Sequence, residues 1–221
     1  MFLPKGDRVS RSQLKASLRL WRRRLAYRER RLRVSERHHR PNSVAKWRKH
    51  AERAQLMVKR RERQLRENRP MREKAASIMV NWAHEPVREQ GGNNRGPRVD
   101  GIIKLAGGTP GEPWCGDAVA AAYILAGSKS VTRAWAYVPT LEKVLTRVLS
   151  PKRGHVVIFN FDGGVPDHTG LFLRDNRDGT YLCVEGNTRL GSSASDAGGG
   201  EGVYLRTRSK SQVQSVRRVL R

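Results

Sequence analysis

Residues 1–70 carry 24 Lys and Arg against 6 Asp and Glu, a net charge of +18, while the other 151 residues hold only +7 of the total +25. A segment this charged cannot bury a broad apolar surface. Self-repulsion should keep it marginal alone, so it is expected to pack on something or to bind a polyanion. The chain therefore divides into 1–70 and 71–221, two units with different jobs. The basic unit suits an anionic partner: nucleic acid, a teichoic acid-like wall polymer or a membrane surface.

Within the basic unit, Leu14, Leu18, Trp21, Leu25 and Leu32 fall on a seven-residue pattern that predicts a helix over 11–35, with Arg28 interrupting the stripe. The run 36–42, Glu-Arg-His-His-Arg-Pro-Asn, breaks it, and Asn42 or Ser43 can cap a second helix over 43–68. Val44, Trp47, Ala51, Ala54, Val58 and Leu65 line that helix on one side. Two helices, each roughly 40 Å long, joined by a short loop predict an antiparallel hairpin with a narrow seam, which includes Trp21 and Trp47. The hairpin has three readings: a solvated spacer, a binder of anionic wall polymer, or a nucleic-acid binder. Few aromatic residues there are placed to stack on bases, which disfavours the last. Either binding mode should weaken with salt.

From residue 71 the composition changes. Helices are expected over 71–83, 97–105, 115–126 and 139–149, with Gly91-Gly-Asn-Asn-Arg-Gly-Pro97 as a loop. After Pro151, short apolar runs bounded by Gly, Asp and Asn predict strands over 156–161, 169–174, 181–185 and 203–208. Residues 175–179 read as a hairpin turn, and the Gly- and Ser-rich stretch 191–200 as an exposed loop. Helices first and antiparallel strands second give an α+β fold.

Only two cysteines occur, Cys115 and Cys183, so a disulfide framework is not what holds the fold. Neither a signal-peptide core nor a run of about 20 apolar residues is present, so the expectation is a cytoplasmically made chain without a transmembrane segment. Pro113-Trp114 precedes Cys115, placing the thiol in the first turn of its helix, where the helix dipole favours a thiolate and free N–H groups can bind an oxyanion. Only a few per cent of an ordinary thiol is ionised at neutral pH, so a nucleophilic cysteine needs a neighbouring imidazole. His168, at the start of a strand, can supply it, and Glu185 or Asn187 can accept from the other ring nitrogen. Those two share a strand face at i, i+2.

The motifs Pro113-Trp-Cys-Gly-Asp-Ala-Val119, Gly154-His-Val-Val-Ile-Phe159, Asp167-His-Thr-Gly-Leu171 and Glu185-Gly-Asn-Thr188 resemble the CHAP domain. That family comprises papain-like cysteine, histidine-dependent amidases and peptidases that cut peptidoglycan, common in bacteriophage endolysins. The resemblance covers about 75–208. It implies a papain-like CHAP domain with helices packed on an antiparallel sheet, Cys115 as nucleophile, His168 as general base, and Glu185 and Asn187 as polarising and orienting residues. It also implies an endolysin-type peptidoglycan hydrolase, acting on the wall after holin-type release or as a virion component. Gly116-Asp117 departs from the small apolar pairs common in the family, and Asp117 fits either a surface residue or a substrate contact. The sequence lacks the acidic calcium loop that some relatives carry before the cysteine.

Duller roles suit several neighbours better. Cys183 fits a core thiol, His155 a packing position and Trp114 a place beside the cleft. A zinc site from Cys115, Cys183 and His168 lacks paired-ligand spacing, so no metal or cofactor is expected. The competing functions are a virion or structural wall-binding protein with an inactive CHAP-like domain, and a basic nucleic-acid-associated protein.

Overall fold

The computed structural model describes residues 9–189 and 202–220; the predicted loop at 191–200 lies outside the described residues. The chain divides into two compact units after Arg69. Among the described residues, no helix is long and apolar enough to cross a membrane.

The first unit is a pair of helices, α1 (Arg11–Arg37) and α2 (Pro41–Glu67). Ser10 caps α1 reciprocally with Gln13: the Ser10 hydroxyl accepts the Gln13 N–H and the Gln13 side chain accepts the Ser10 N–H. The second helix begins earlier than the sequence suggests, because Pro41 opens it instead of breaking it; its fixed φ suits the first helical position. The helices run antiparallel, as the pairs Arg22–Glu62 and Arg48–Glu36 require. Their seam is thin. Leu14 and Ala54 are its fully buried apolar residues, and Trp21, Leu25, Trp47 and Val58 are only half-buried.

The second unit is α+β, with helices α3 (Met71–His84), α4 (Pro97–Leu105), α5 (Cys115–Leu125) and α6 (Val138–Val144). Its strands are β1 (Thr146–Arg147), β2 (Val156–Phe159), β3 (His168–Asp175), β4 (Thr180–Thr188), β5 (Gly202–Ser209) and β6 (Val213–Arg218). They form one antiparallel sheet in the order β1-β6-β2-β3-β4-β5. Two elements differ from the sequence reading. The helix expected over 139–149 ends at Val144, because the chain turns extended at Leu145 and Thr146–Arg147 pairs with Arg217–Arg218. The strand β6, for which 209–221 gives no clear signal, inserts between β1 and β2. Both differences come from pairing between segments distant in the chain.

Strand alternation sorts the core into two layers. Val156, Ile158, Leu171, Val184 and Val203 join the α3, α4 and α5 side chains in the main core. Val157, Phe159, Phe172 and Cys183 form a second cluster on the opposite face. That face is concave. β5 ends at Ser209 and β6 begins at Val213, a reach of at most about 14 Å of extended chain. In a flat sheet those strands would stand four spacings apart, roughly 19 Å. The sheet therefore curls, and the end of β5 comes over β2.

Candidate active site

Cys115 is the first residue of α5, and its N-cap Trp114 makes no side-chain capping bond. The first backbone bond of the helix runs from the Ala118 N–H to the Trp114 carbonyl at 2.8 Å. The N–H groups of Cys115, Gly116 and Asp117 thus have no partner within the helix, at the end where its dipole favours negative charge. Two glycines let this helix start sit where it does. A Cβ at Gly116 would lie 2.3 Å from the Trp135 carbonyl oxygen, and one at Gly186 would lie 2.5 Å from the Ala118 Cβ. Trp114 itself is fully buried, and its indole N–H donates to Glu89 at 3.0 Å.

His168 opens β3 opposite Phe159, and is 4% exposed. Its Nε2 stands 3.0 Å from Glu185 Oε2. Glu185 thus occupies Nε2 and leaves Nδ1 as the other nitrogen of the ring. The Cys115 sulfur lies 4.0 Å from the Asp167 carbonyl oxygen. Burial alone would drive His168 toward neutrality, but the hydrogen bonds and negative charges of Cys115 and Glu185 outweigh it, raising its pKa from 6.5 to about 10. The imidazole ring also packs against Phe159 and Phe161, each with its centre 5.8 Å away.

Glu185 is fully buried. It passes across Gly170, its partner on β3, where a Cβ would come within 2.5 Å of the Glu185 Cγ. The glycines of Thr169-Gly170 and Glu185-Gly186 are therefore packing requirements of the site: one clears room for the carboxylate, the other for α5. Burial pushes the Glu185 carboxyl upward, but hydrogen bonding and charge from His168 and Arg208 hold it below its ordinary value.

Arg208 was not singled out by sequence reasoning. Its Nη2 donates to Glu185 Oε2 at 2.6 Å, and its Nε lies 3.1 Å from Oε1. Hydropathy gives no signal for it: along β5 Arg206 and Arg208 are buried and Leu205 is exposed, the reverse of what hydropathy favours. Asn187 lies two residues beyond Glu185, buried and in the left-handed region at φ +54°. The β4–β5 register shifts between Glu185 and Thr188, so the simple alternation expected to set Glu185 and Asn187 side by side is interrupted there.

The structure assigns other candidates elsewhere. Cys183 is fully buried in the second apolar cluster, and burial pushes its thiol well above the ordinary value. His155 borders a different cleft with Tyr123 and Arg72; burial, then the nearby Arg72, Lys152 and Arg218, lower it from 6.5 to about 4. Asp117 is neither a surface residue nor an open substrate contact. It is fully buried and takes Arg133 Nη1 at 2.8 Å, while Arg133 Nη2 binds Glu112 at 2.5 Å. Burial raises Asp117 from 3.8 to about 6, against the pull of Arg133. Among the described residues, no group of three or more His, Cys, Asp or Glu is placed to hold a metal ion.

Cys115 opens onto a cleft of about 490 Å³ whose walls include Glu112, Arg133, Tyr137, Val165 and Pro166. Tyr137 and Val165 are 64% and 63% exposed, a large apolar presentation beside a reactive group. A helix-terminal thiol on an open cleft, backed by a buried imidazole and carboxylate, can perform nucleophilic attack on a carbonyl. No family model, no curated protein and no solved structure matches this chain.

Proposed function

We propose that the chain is a peptidoglycan hydrolase of the endolysin type, with residues 71–221 forming a papain-like CHAP domain. One observation carries this reading: Cys115 begins a helix with its sulfur 4.0 Å from the carbonyl of Asp167, the neighbour of His168, whose ring is held by the buried Glu185. The choice of peptidoglycan rests on the resemblance of the four motifs, and the chemistry on the geometry.

The Cys115 thiolate attacks the carbonyl carbon of an amide, and the tetrahedral oxyanion takes hydrogen bonds from the free N–H groups of the first turn of α5. His168 gives its proton to the leaving amine as the C–N bond breaks, leaving a thioester on Cys115. Neutral His168 then removes a proton from water, whose oxygen attacks the thioester. The carboxylate product departs, and the thiolate–imidazolium pair is restored. Glu185 accepts from His168 throughout, holding the ring orientation and stabilising its charged form. Asn187 is assigned a supporting role in orienting the ring. The bond cut is the N-acetylmuramoyl–L-alanine amide or a peptide bond of the stem or cross-bridge.

In the same reading the basic hairpin holds the enzyme on anionic wall polymer. Its exposed Lys15, Arg19, Arg23, Arg30 and Arg33 place charge along one helix, an arrangement suited to a long flexible polyanion.

Clearing of a cell-wall suspension tests the proposal. The native chain should clear it and Cys115→Ala should lose at least about a thousandfold in rate; equal clearing by both would overturn the mechanism. Mass spectrometry of the products identifies the bond through the new amino terminus. Deleting residues 1–69 should reduce activity on intact walls more than on soluble fragments.

A further inference from the structure

The pair His168–Glu185 does not stand alone in the concave face of the sheet. Arg208 is 3% exposed at its side chain and lies on Glu185, which is fully buried. Its guanidinium also covers two aromatic rings, 4.8 Å from the centre of Phe161 and 5.6 Å from that of Phe159. The same two rings pack on His168. One aromatic floor therefore supports both cations that flank Glu185, a favourable arrangement for each.

Arg208 lies at the end of a line of ionisable groups. In the attacking state of the proposed mechanism the order is Cys115 thiolate, His168 imidazolium, Glu185 carboxylate, Arg208 guanidinium, alternating in sign. Without the guanidinium, two buried anions would share one imidazolium, and burial strongly disfavours such an excess. One of them would take up a proton. If Glu185 does, it no longer accepts from His168 as an anion; if Cys115 does, the nucleophile is lost. Arg is also the side chain whose planar fork fixes a carboxylate in rotation as well as position. A Lys in its place would supply charge without that constraint.

We propose that Arg208 is a positioning residue of this site, whose fork keeps the Glu185 carboxylate charged and aligned so that His168 can hold Cys115 as a thiolate. The inference rests on the cysteine-hydrolase reading of the site, but its test needs no wall substrate. The full chain carrying Cys183→Ser has a single thiol, and the rate of its alkylation by iodoacetamide against pH reports the thiolate population of Cys115.

In Arg208→Gln the acid limb of that profile should move up by about one pH unit or more, which is about a tenfold slower reaction on the limb. In Arg208→Lys the limb should stay near its native position, while the plateau rate falls by about tenfold because the fork is gone. Circular dichroism confirms that each variant is folded. An unmoved limb in folded Arg208→Gln overturns the proposal; so does a native plateau in Arg208→Lys, which decides the matter if the Gln variant does not fold. If the limb moves as expected but the native chain fails to clear cell walls, the positioning role stands and the peptidoglycan reading falls.

Discussion

Arginine does opposite work in the two units. In the helical hairpin, Arg22 pairs with Glu62 at 2.8 Å with both side chains well exposed, at 62% and 41%. In the second unit, Arg208 meets Glu185 at 2.6 Å with exposures of 3% and 0%. The bond lengths are similar, but the surroundings are not. Water screens the first pair and competes for it, so little stability depends on it. The second pair has no such competitor, and removing either partner leaves a buried uncompensated charge. The hairpin can thus carry a large surplus of positive charge on its surface, whereas the second unit must balance its buried charges group by group.

The largest effect should come from breaking that balance. Glu185→Ala leaves Arg208 and His168 without their shared anion, and should lower unfolding free energy by about 3–5 kcal/mol in a denaturant titration. A loss under about 1 kcal/mol would show that the buried chain behaves like a surface pair. Gly186→Ala drives a methyl group toward Ala118 and the Trp114 ring; it should cost about 1–3 kcal/mol and slow alkylation of Cys115, since α5 must shift.

The two buried histidines should give opposite pH slopes. His168 is raised from 6.5 to about 10, so its contribution to stability is complete below pH 6.5 and is lost as pH rises through about 10. His155 is lowered from 6.5 to about 4, so its contribution is present above pH 6.5 and is lost as pH falls through about 4. Melting temperatures across pH 4–10 should fall on both sides, with Glu185→Gln flattening the alkaline side and His155→Gln the acid side. Smallest of all, Arg22→Ala should change stability by less than about 1 kcal/mol. A larger loss would mean that the exposed hairpin pairs matter as much as the buried ones.

Much of this site was legible in the chain itself. Cys115 follows Pro113-Trp114, and that local chemistry alone starts a helix at the thiol. His168 and Glu185 flank short apolar runs that the Gly, Asp and Asn clusters around them mark as strands. Arg208 was not legible, because hydropathy turns Leu205 inward and Arg208 outward, while the structure does the reverse. Asp117 shows the same limit: its position beside Cys115 was clear, but its burial against Arg133 depends on a turn 16 residues later. The strand β6 and the end of α6 escaped for a related reason, since each is fixed by a pairing partner far away in the chain.

Periodicity and charge determined by themselves that a thin basic helical pair precedes an α+β unit, because those signals are local and repeat every few residues. Local motif chemistry singled out the thiol, the imidazole and the carboxylate, and of these the structure pairs His168 with Glu185. Only the tertiary structure decided how the carboxylate is held. The short link between β5 and β6 forces the sheet to curl, and the curl carries the end of β5 over β2. That closure sets Arg208 on Glu185 above Phe159 and Phe161, where a long cationic side chain is buried because its partners are there to meet it.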